Sequence, residues 1–598
     1  MLQRIFWTTL VALLAYPGAT FAQDEKTEKT STVAHIKLSG SMSESAPAAE
    51  PLFGGATENF KAKLDRIKKA RNDAAVQAIY FEIEGLGIGW CKVEELCDAI
   101  ADCRKAGKKT FAYIEEATLK ELVLARCCDV VCAPESAWMM IAGIRMEMMF
   151  FKDLFDRLGI QADFLKTGDF KAAAEPYTRT KMSEANRQQW DALLDEFYDR
   201  AAIDRLIKSK PAANWTADAL KKAIDQAPLS GRAAHKLGLI DQVAYKADFE
   251  AGFKKALEAD ATKLVKNYGK AKAEELDLSN PFAILKLLAP TKAGGSTKPK
   301  VAVVYATGAI VTGKSGFSLL GGESCGSTTI CEAIRQAEED KTVQAIVLRV
   351  DSPGGSALAS DLIWAEIQKC KKPVVASMSD VAASGGYYIS MGTRRIFAEP
   401  STITGSVGVV GGKLVLGKAM QSVGLNTESL SRGANAGMFS DGAPFSDSEK
   451  AALGKLMQDT YDLFLDKTVE GRNKAGAKIT KDELLKLAGG RVWTGRAALA
   501  NKLVDELGGL DAAIASAWKM AGQPSDKEPE ILQLPKAKGA LDALLDAAGD
   551  TQLRETAALA ALLKEFPEMA RLVRPAAALL QLRHEPAWLV VPYGFDVR

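Results

Sequence analysis

Val343-Gln344-Ala345-Ile346-Val347-Leu348-Arg349-Val350-Asp351-Ser352-Pro353-Gly354-Gly355 reads as a buried strand running into a tight glycine turn. Farther along stands Ala382-Ala383-Ser384-Gly385-Gly386-Tyr387-Tyr388. A serine hydroxyl is a weak nucleophile at neutral pH and needs an adjacent base, together with donors that hold a tetrahedral oxyanion. Gly385 has no Cβ, so its N–H can come close to developing charge, and Gly354 or Gly355 can offer the second donor. Apolar runs at Ala302–Tyr305, Ala345–Val350 and Pro373–Met378 alternate with helical stretches such as Ala357–Lys369, which predicts α/β layering.

The base must be found elsewhere. The only histidines are His35, His235 and His584, and none stands in a motif-like setting, which argues against a Ser-His-Asp triad. A Ser-Lys pairing is the alternative. An internal repeat locates the lysine. Val76-Gln77-Ala78-Ile79 returns as Val343-Gln344-Ala345-Ile346, and Val33 through Gly40 resembles Val301 through Gly308. Ala133-Pro134-Glu135-Ser136 echoes Glu399-Pro400-Ser401, and Gly231-Arg232-Ala233-Ala234 returns as Gly495-Arg496-Ala497-Ala498. The spacing between partners drifts by one residue at a time, as a single long tandem duplication requires.

The copies diverge where chemistry would sit. Ser384 aligns with Thr118, which is followed by Leu119 and Lys120 in place of two glycines. Conversely, Lys171, within Leu165-Lys166-Thr167-Gly168-Asp169-Phe170-Lys171-Ala172-Ala173-Ala174-Glu175-Pro176, faces Ala436. The second copy keeps the serine and the first keeps the lysine. A lysine acts as a base only when neutral; burial between the two copies would lower its pKa from about 10.4 by ~3 units, a differential of about 4 kcal/mol.

With these motifs the chain resembles the long, duplicated form of the signal peptide peptidase A (protease IV) family, Ser-Lys serine proteases of the bacterial cell envelope. The resemblance spans roughly residues 30 to 520 and rests on Asp351-Ser352-Pro353-Gly354-Gly355-Ser356, Ala383-Ser384-Gly385-Gly386-Tyr387, Pro400-Ser401-Thr402-Ile403-Thr404-Gly405-Ser406, Phe170-Lys171-Ala172-Ala173-Ala174-Glu175-Pro176 and Val492-Trp493-Thr494-Gly495. It implies Ser384 as nucleophile, Lys171 as general base and Ser406 as a hydrogen-bonding partner that orients the lysine. It also implies a tandem pair of Clp protease/crotonase-like domains built from ββα units, assembled as a bowl-shaped homotetramer. The expected substrates are hydrophobic peptides such as cleaved signal peptides.

Composition bounds the rest. The chain has 598 residues, 47% hydrophobic and 25% charged, enough for two or more cores. Lys plus Arg at 77 against Asp plus Glu at 75 leaves no global charge signal, and nothing points to nucleic acid. Arg4, the apolar run Ile5–Tyr16 and small residues ending at Ala22 have the layout of a secretory signal peptide, short of the roughly 20 residues that span a bilayer. Export to the periplasm or cell envelope follows, with an uncleaved inner-membrane anchor as the rival. The nine cysteines are odd in number and lack paired Cys-x-x-Cys spacing, so small buried thiols are expected and a metal or cofactor site is not.

The expected layout is a signal peptide at 1–22, a polar tether at 23–31, the lysine copy at 32–279, a Pro/Gly/Ser-rich linker at 280–300, the serine copy at 301–522 and an Ala/Leu-rich helical tail at 523–598. That tail could meet a membrane surface or a partner subunit, ordinary helix packing being the plainer reading. The Met-rich run from Trp138 to Phe150 reads as core before adaptable peptide-binding surface. Two alternatives stand beside the peptidase: a crotonase-like acyl-CoA enzyme, disfavoured by export, and a non-catalytic envelope scaffold that keeps the fold.

Overall fold

The computed structural model of the protein describes residues 29–45, 58–210, 214–270, 296–318, 322–536, 587–590 and 596–597. The signal segment, nearly all of the tether, most of the 280–300 linker and the stretches Ala557–Leu563 and Ala576–Leu580 lie outside these residues.

In the first copy the strands are β1 (Thr30–Gly40), β2 (Val76–Leu86), β3 (Lys109–Ile114), β4 (Val130–Ala133), β5 (Gln161–Lys166), β6 (Gln242–Val243) and β7 (Ala261–Val265). All but β5 form one sheet in the order β7-β1-β2-β3-β4-β6, every pair parallel. In the second copy they are β8 (Lys300–Thr307), β9 (Val343–Ser352), β10 (Gly354–Ser356), β11 (Val374–Ala383), β12 (Ile396–Ala398), β13 (Ile403–Gly405), β14 (Val410–Val415), β15 (Val492–Thr494), β16 (Glu506–Leu507) and β17 (Glu530–Leu534). Here the parallel order is β17-β8-β9-β11-β12-β16, the same path as in the first copy. Near-continuous apolar runs suit strands covered on both faces, and β2 and β9 are buried along almost their whole length.

The duplication extends to single-residue irregularities. The register between β1 and β2 slips between Thr32 and Val33, and that between β8 and β9 slips between Lys300 and Val301, the equivalent place. It also runs farther than composition suggests: β17 is the counterpart of β7, so the second copy ends near Leu534, not near residue 522. The helical expectation for 523–598 is likewise corrected at 530–534, at β18 (Trp588–Val590) and at Asp596–Val597, which are strands because each finds an open sheet edge to pair with.

A further sheet mixes both copies. Its order is 316–318, 322–326, 309–311, β10, β18, β14, β5. The first copy's β5 pairs antiparallel with β14 of the second over its full length, from Lys166 opposite Val410 to Gln161 opposite Val415. That ladder lays the segment after β5, which carries Lys171, onto the second copy.

The copies are also joined by buried charge. Arg349 on β9 is fully buried; it is 2.7 Å from Glu44 and also hydrogen-bonds Glu95 and Ser377. Lys92, on α1 (Trp90–Lys105) of the first copy, stands 2.9 Å from Asp351 and 3.1 Å from Asp380 of the second. On the same helix, burial pushes the Glu94 carboxyl up to about 7, while it accepts the Ser401 N–H.

All nine cysteines are unpaired thiols, eight of them buried. The Met-rich run is not plain core: Met139 is buried, whereas Trp138, Met140 and Met149 are exposed.

Candidate active site

β11 ends at Ala383, and the chain turns sharply at Ser384 before α2 (Gly385–Met391) begins. Ser384 has a φ of +56°, a conformation uncommon for a residue with a Cβ, and its N–H is tied to the Gly405 carbonyl at 2.7 Å. The two glycines that follow are required by space. A Cβ on Gly385 would lie 2.7 Å from Ser360 Oγ, and one on Gly386 2.6 Å from the Ser352 carbonyl oxygen.

Lys171 Nζ lies 2.7 Å from Ser384 Oγ, 3.1 Å from Ser406 Oγ and 3.4 Å from the Ser406 carbonyl oxygen. Lys171 is 1% exposed and both serines are buried. Burial holds the Lys171 amine well below the usual lysine range. The three residues selected from sequence therefore meet, two from one copy and one from the other. Ser406 shares with Ser384 a positive φ, +55°, which turns its hydroxyl toward the lysine.

The glycines assemble beside them. Gly354 and Gly355, on β10, pack against the start of α2, and a Cβ on Gly385 would be 3.2 Å from the Gly355 nitrogen. The Gly354 N–H donates to Ser352 Oγ at 3.2 Å, which leaves Gly355 as the member of the pair to face a ligand together with Gly385.

Thr118 sits at the start of α3 (Leu119–Arg126), the first-copy counterpart of α2, with an ordinary φ of −87°; its N–H donates to Glu121. It serves as a helix cap. Ala436 lies in an exposed turn of the second copy.

Sequence reasoning missed the clamp on the lysine. Gly490 packs on it so closely that a Cβ there would be 2.6 Å from Lys171 Cα, and the Phe170 N–H donates to the Gly489 carbonyl at 3.1 Å. Gln189 bridges the copies, donating to the Phe170 carbonyl and accepting the Val492 N–H. The Gly489-Gly490 pair, just before the Val492-Trp493-Thr494-Gly495 motif, was the available signal.

A family model described as Peptidase family S49 matches residues 102–260 and again 366–523, once in each copy. The chain belongs to peptidase family S49. It is 33% identical to the chloroplastic serine protease SPPA of Arabidopsis thaliana over 506 residues, 83% of this chain and 71% of that one. It is 29% identical to Protease 4 of Salmonella typhi over 494 residues, 79% of this chain and 74% of that one. A solved ClpP1 variant from Listeria monocytogenes shares 12% identity, covers 36% of this chain and 94% of its own, and gives a TM-score of 0.23. The S49 chain is a serine peptidase, and its two peptidase matches decide against the acyl-CoA alternative.

Proposed function

We propose that Ser384 and Lys171 form the catalytic dyad of an endopeptidase acting on extended apolar peptides, with cleaved signal peptides as the substrates implied by the resemblance to the signal peptide peptidase A family. The observation that carries this reading is the 2.7 Å approach of a buried, deprotonation-prone lysine amine to a buried serine hydroxyl on a strained turn. Ser384 Oγ adds to the scissile carbonyl as Lys171 takes its proton, and the lysine then protonates the leaving amine. Lys171 next activates the water that cleaves the acyl-enzyme. Ser406 holds the amine in line, and the N–H groups of Gly355 and Gly385 receive the oxyanion, with Gly354 shaping the turn.

The setting proposed is the cell envelope, through export directed by residues 1–22, in a homo-oligomer, a tetramer by the resemblance. Exposed apolar residues support an assembled form: Leu430 is 90% exposed, Val423 72% and Trp138 69%. No described helix is long and apolar enough to cross a membrane, so any membrane contact would be made by the N-terminal segment or at the surface.

Peptide hydrolysis by wild type beside Ser384→Ala and Lys171→Ala tests the reading. Substantial turnover by either variant sinks it.

A further inference from the structure

The mixed sheet contains one strand that belongs to neither copy. β18 lies between β10 and β14 and pairs antiparallel with both, in a position one strand wide beside the serine. Gly354 is opposite Val590, Gly355 opposite Leu589 and Ser356 opposite Trp588. The Ala357 N–H donates to the Ala587 carbonyl at 3.3 Å. Hydrogen-bonded pairs alternate along an antiparallel ladder, so Gly355 and Leu589 form the next such pair, with the Leu589 carbonyl accepting from Gly355. A Cβ on Gly354 would lie 1.9 Å from the Leu589 carbonyl oxygen and 2.7 Å from the Gly385 nitrogen. The Leu589 carbonyl thus sits against both proposed oxyanion donors.

The side chains are held as a bound peptide's would be. Trp588 and Val590 pack with Val410 and with Ala174, three residues beyond the lysine, and the Trp588 ring meets Phe164 edge-on at 5.8 Å. Ala587 and Leu589 point the other way, into the core of the second copy. Downstream, Asp596–Val597 pairs with Met146–Glu147 of the first copy. The chain therefore passes through the site and continues beyond it, as a substrate cut internally must.

We propose that the C-terminal segment is a built-in substrate: it fills the peptide slot between β10 and β14 and is cut by Ser384 between Leu589 and Val590. The proposal rests on the Ser384-Lys171 reading. Ser384 Oγ adds to the Leu589 carbonyl carbon while its proton passes to Lys171. The Leu589–Val590 C–N bond breaks and that proton goes to the Val590 nitrogen. Water, losing a proton to Lys171, then hydrolyses the Leu589 ester, and the proton returns to Ser384 Oγ. The products are a chain ending at Leu589 and the free peptide 590–598. Until that cut, the tail excludes other peptides from the slot; its register also assigns a leucine-sized apolar residue to the position just before the scissile bond.

The test is to purify the full-length wild type, Ser384→Ala, Lys171→Ala and Leu589→Asp proteins, incubate them, and map their C-terminal peptides by mass spectrometry. Hydrolysis of a fluorogenic peptide ending in Ala-Trp-Leu is followed in parallel. The wild type should end at Leu589 and the two dyad variants at Arg598. Leu589→Asp, which would bury a carboxylate in an apolar pocket, should be trimmed at least ~10-fold more slowly. A wild type that hydrolyses the peptide yet keeps residues 590–598, or is trimmed at another bond, overturns this proposal alone, as does trimming at Leu589 in Ser384→Ala. A wild type that neither trims itself nor hydrolyses the peptide overturns the dyad reading with it.

Discussion

Lys171 and Ser384 are 213 residues apart in sequence and 2.7 Å apart in space, each supplied by the copy that lacks the other. The contact depends on the β5–β14 ladder and on the Gly489-Gly490 clamp, both of which join the two copies.

Ser384→Ala and Lys171→Ala should each lower kcat/KM by at least ~10³-fold, and the double variant should be no worse, because a nucleophile and its base act as one unit. Thr118→Ala should leave turnover intact and cost about 1 kcal/mol of stability, the worth of a helix cap. Steady-state kinetics and denaturant melts on all four check this; a large loss of turnover in the threonine variant contradicts it.

Because burial holds the Lys171 amine below the ordinary lysine range, kcat/KM should decline as pH falls through that lowered value. The same shift acts on stability. Between the lowered folded pKa and the unfolded value the unfolded chain binds the extra proton, so stability rises with pH across that window. Lys171→Met should therefore be inactive yet melt higher than wild type at neutral pH, with the gain shrinking in alkali. A profile that stays flat on the acid side would remove Lys171 as the base.

Neither copy should work alone. A fragment of residues 296–536 keeps Ser384, Gly355, Gly385 and Ser406 but lacks both the lysine and the strand that pairs with β14. It should be inert until mixed with residues 29–270, and a Lys171→Ala version of that partner should not rescue it. Robust hydrolysis by the isolated second copy would reveal another base.

Arg349→Met should cost about 3–5 kcal/mol, since it strands the buried Glu44 and Glu95 without their cation. Urea denaturation measures this directly, and a loss below ~1 kcal/mol would show that the cluster tolerates the vacancy by protonation.

Glu94 gives a pH-dependent counterpart. Its folded pKa of about 7 exceeds the unfolded value of 4.5, so the folded state holds a proton that the unfolded state has lost, and stability falls as pH rises through that interval. Glu94→Gln should be nearly neutral below pH 4.5 and stabilising by about 3 kcal/mol above pH 7. Equal melting shifts at both ends would contradict the assignment.

The duplication, the serine turn and the displaced lysine were legible because each leaves a local mark: a repeated string, paired glycines, a residue present in one copy and absent in the other. The choice between Gly354 and Gly355 was not, since it turns on which N–H the Ser352 hydroxyl takes, a matter of three-dimensional placement. Asp351 stood in plain view within its motif, but its partner Lys92 comes from a helix of the other copy, and no periodicity announces such a pair. β18 was illegible for a simpler reason. Three apolar residues in an Ala/Leu-rich stretch carry no period, and they become a strand only because two open edges await them.

Dividing base and nucleophile between copies also sets a schedule for the chain as it is made. Synthesis delivers Lys171 first and Ser384 long afterward, and the ladder that joins them needs β14, later still. A nascent or half-translocated chain is therefore chemically inert, and proteolysis becomes available only to a molecule that has emerged almost whole.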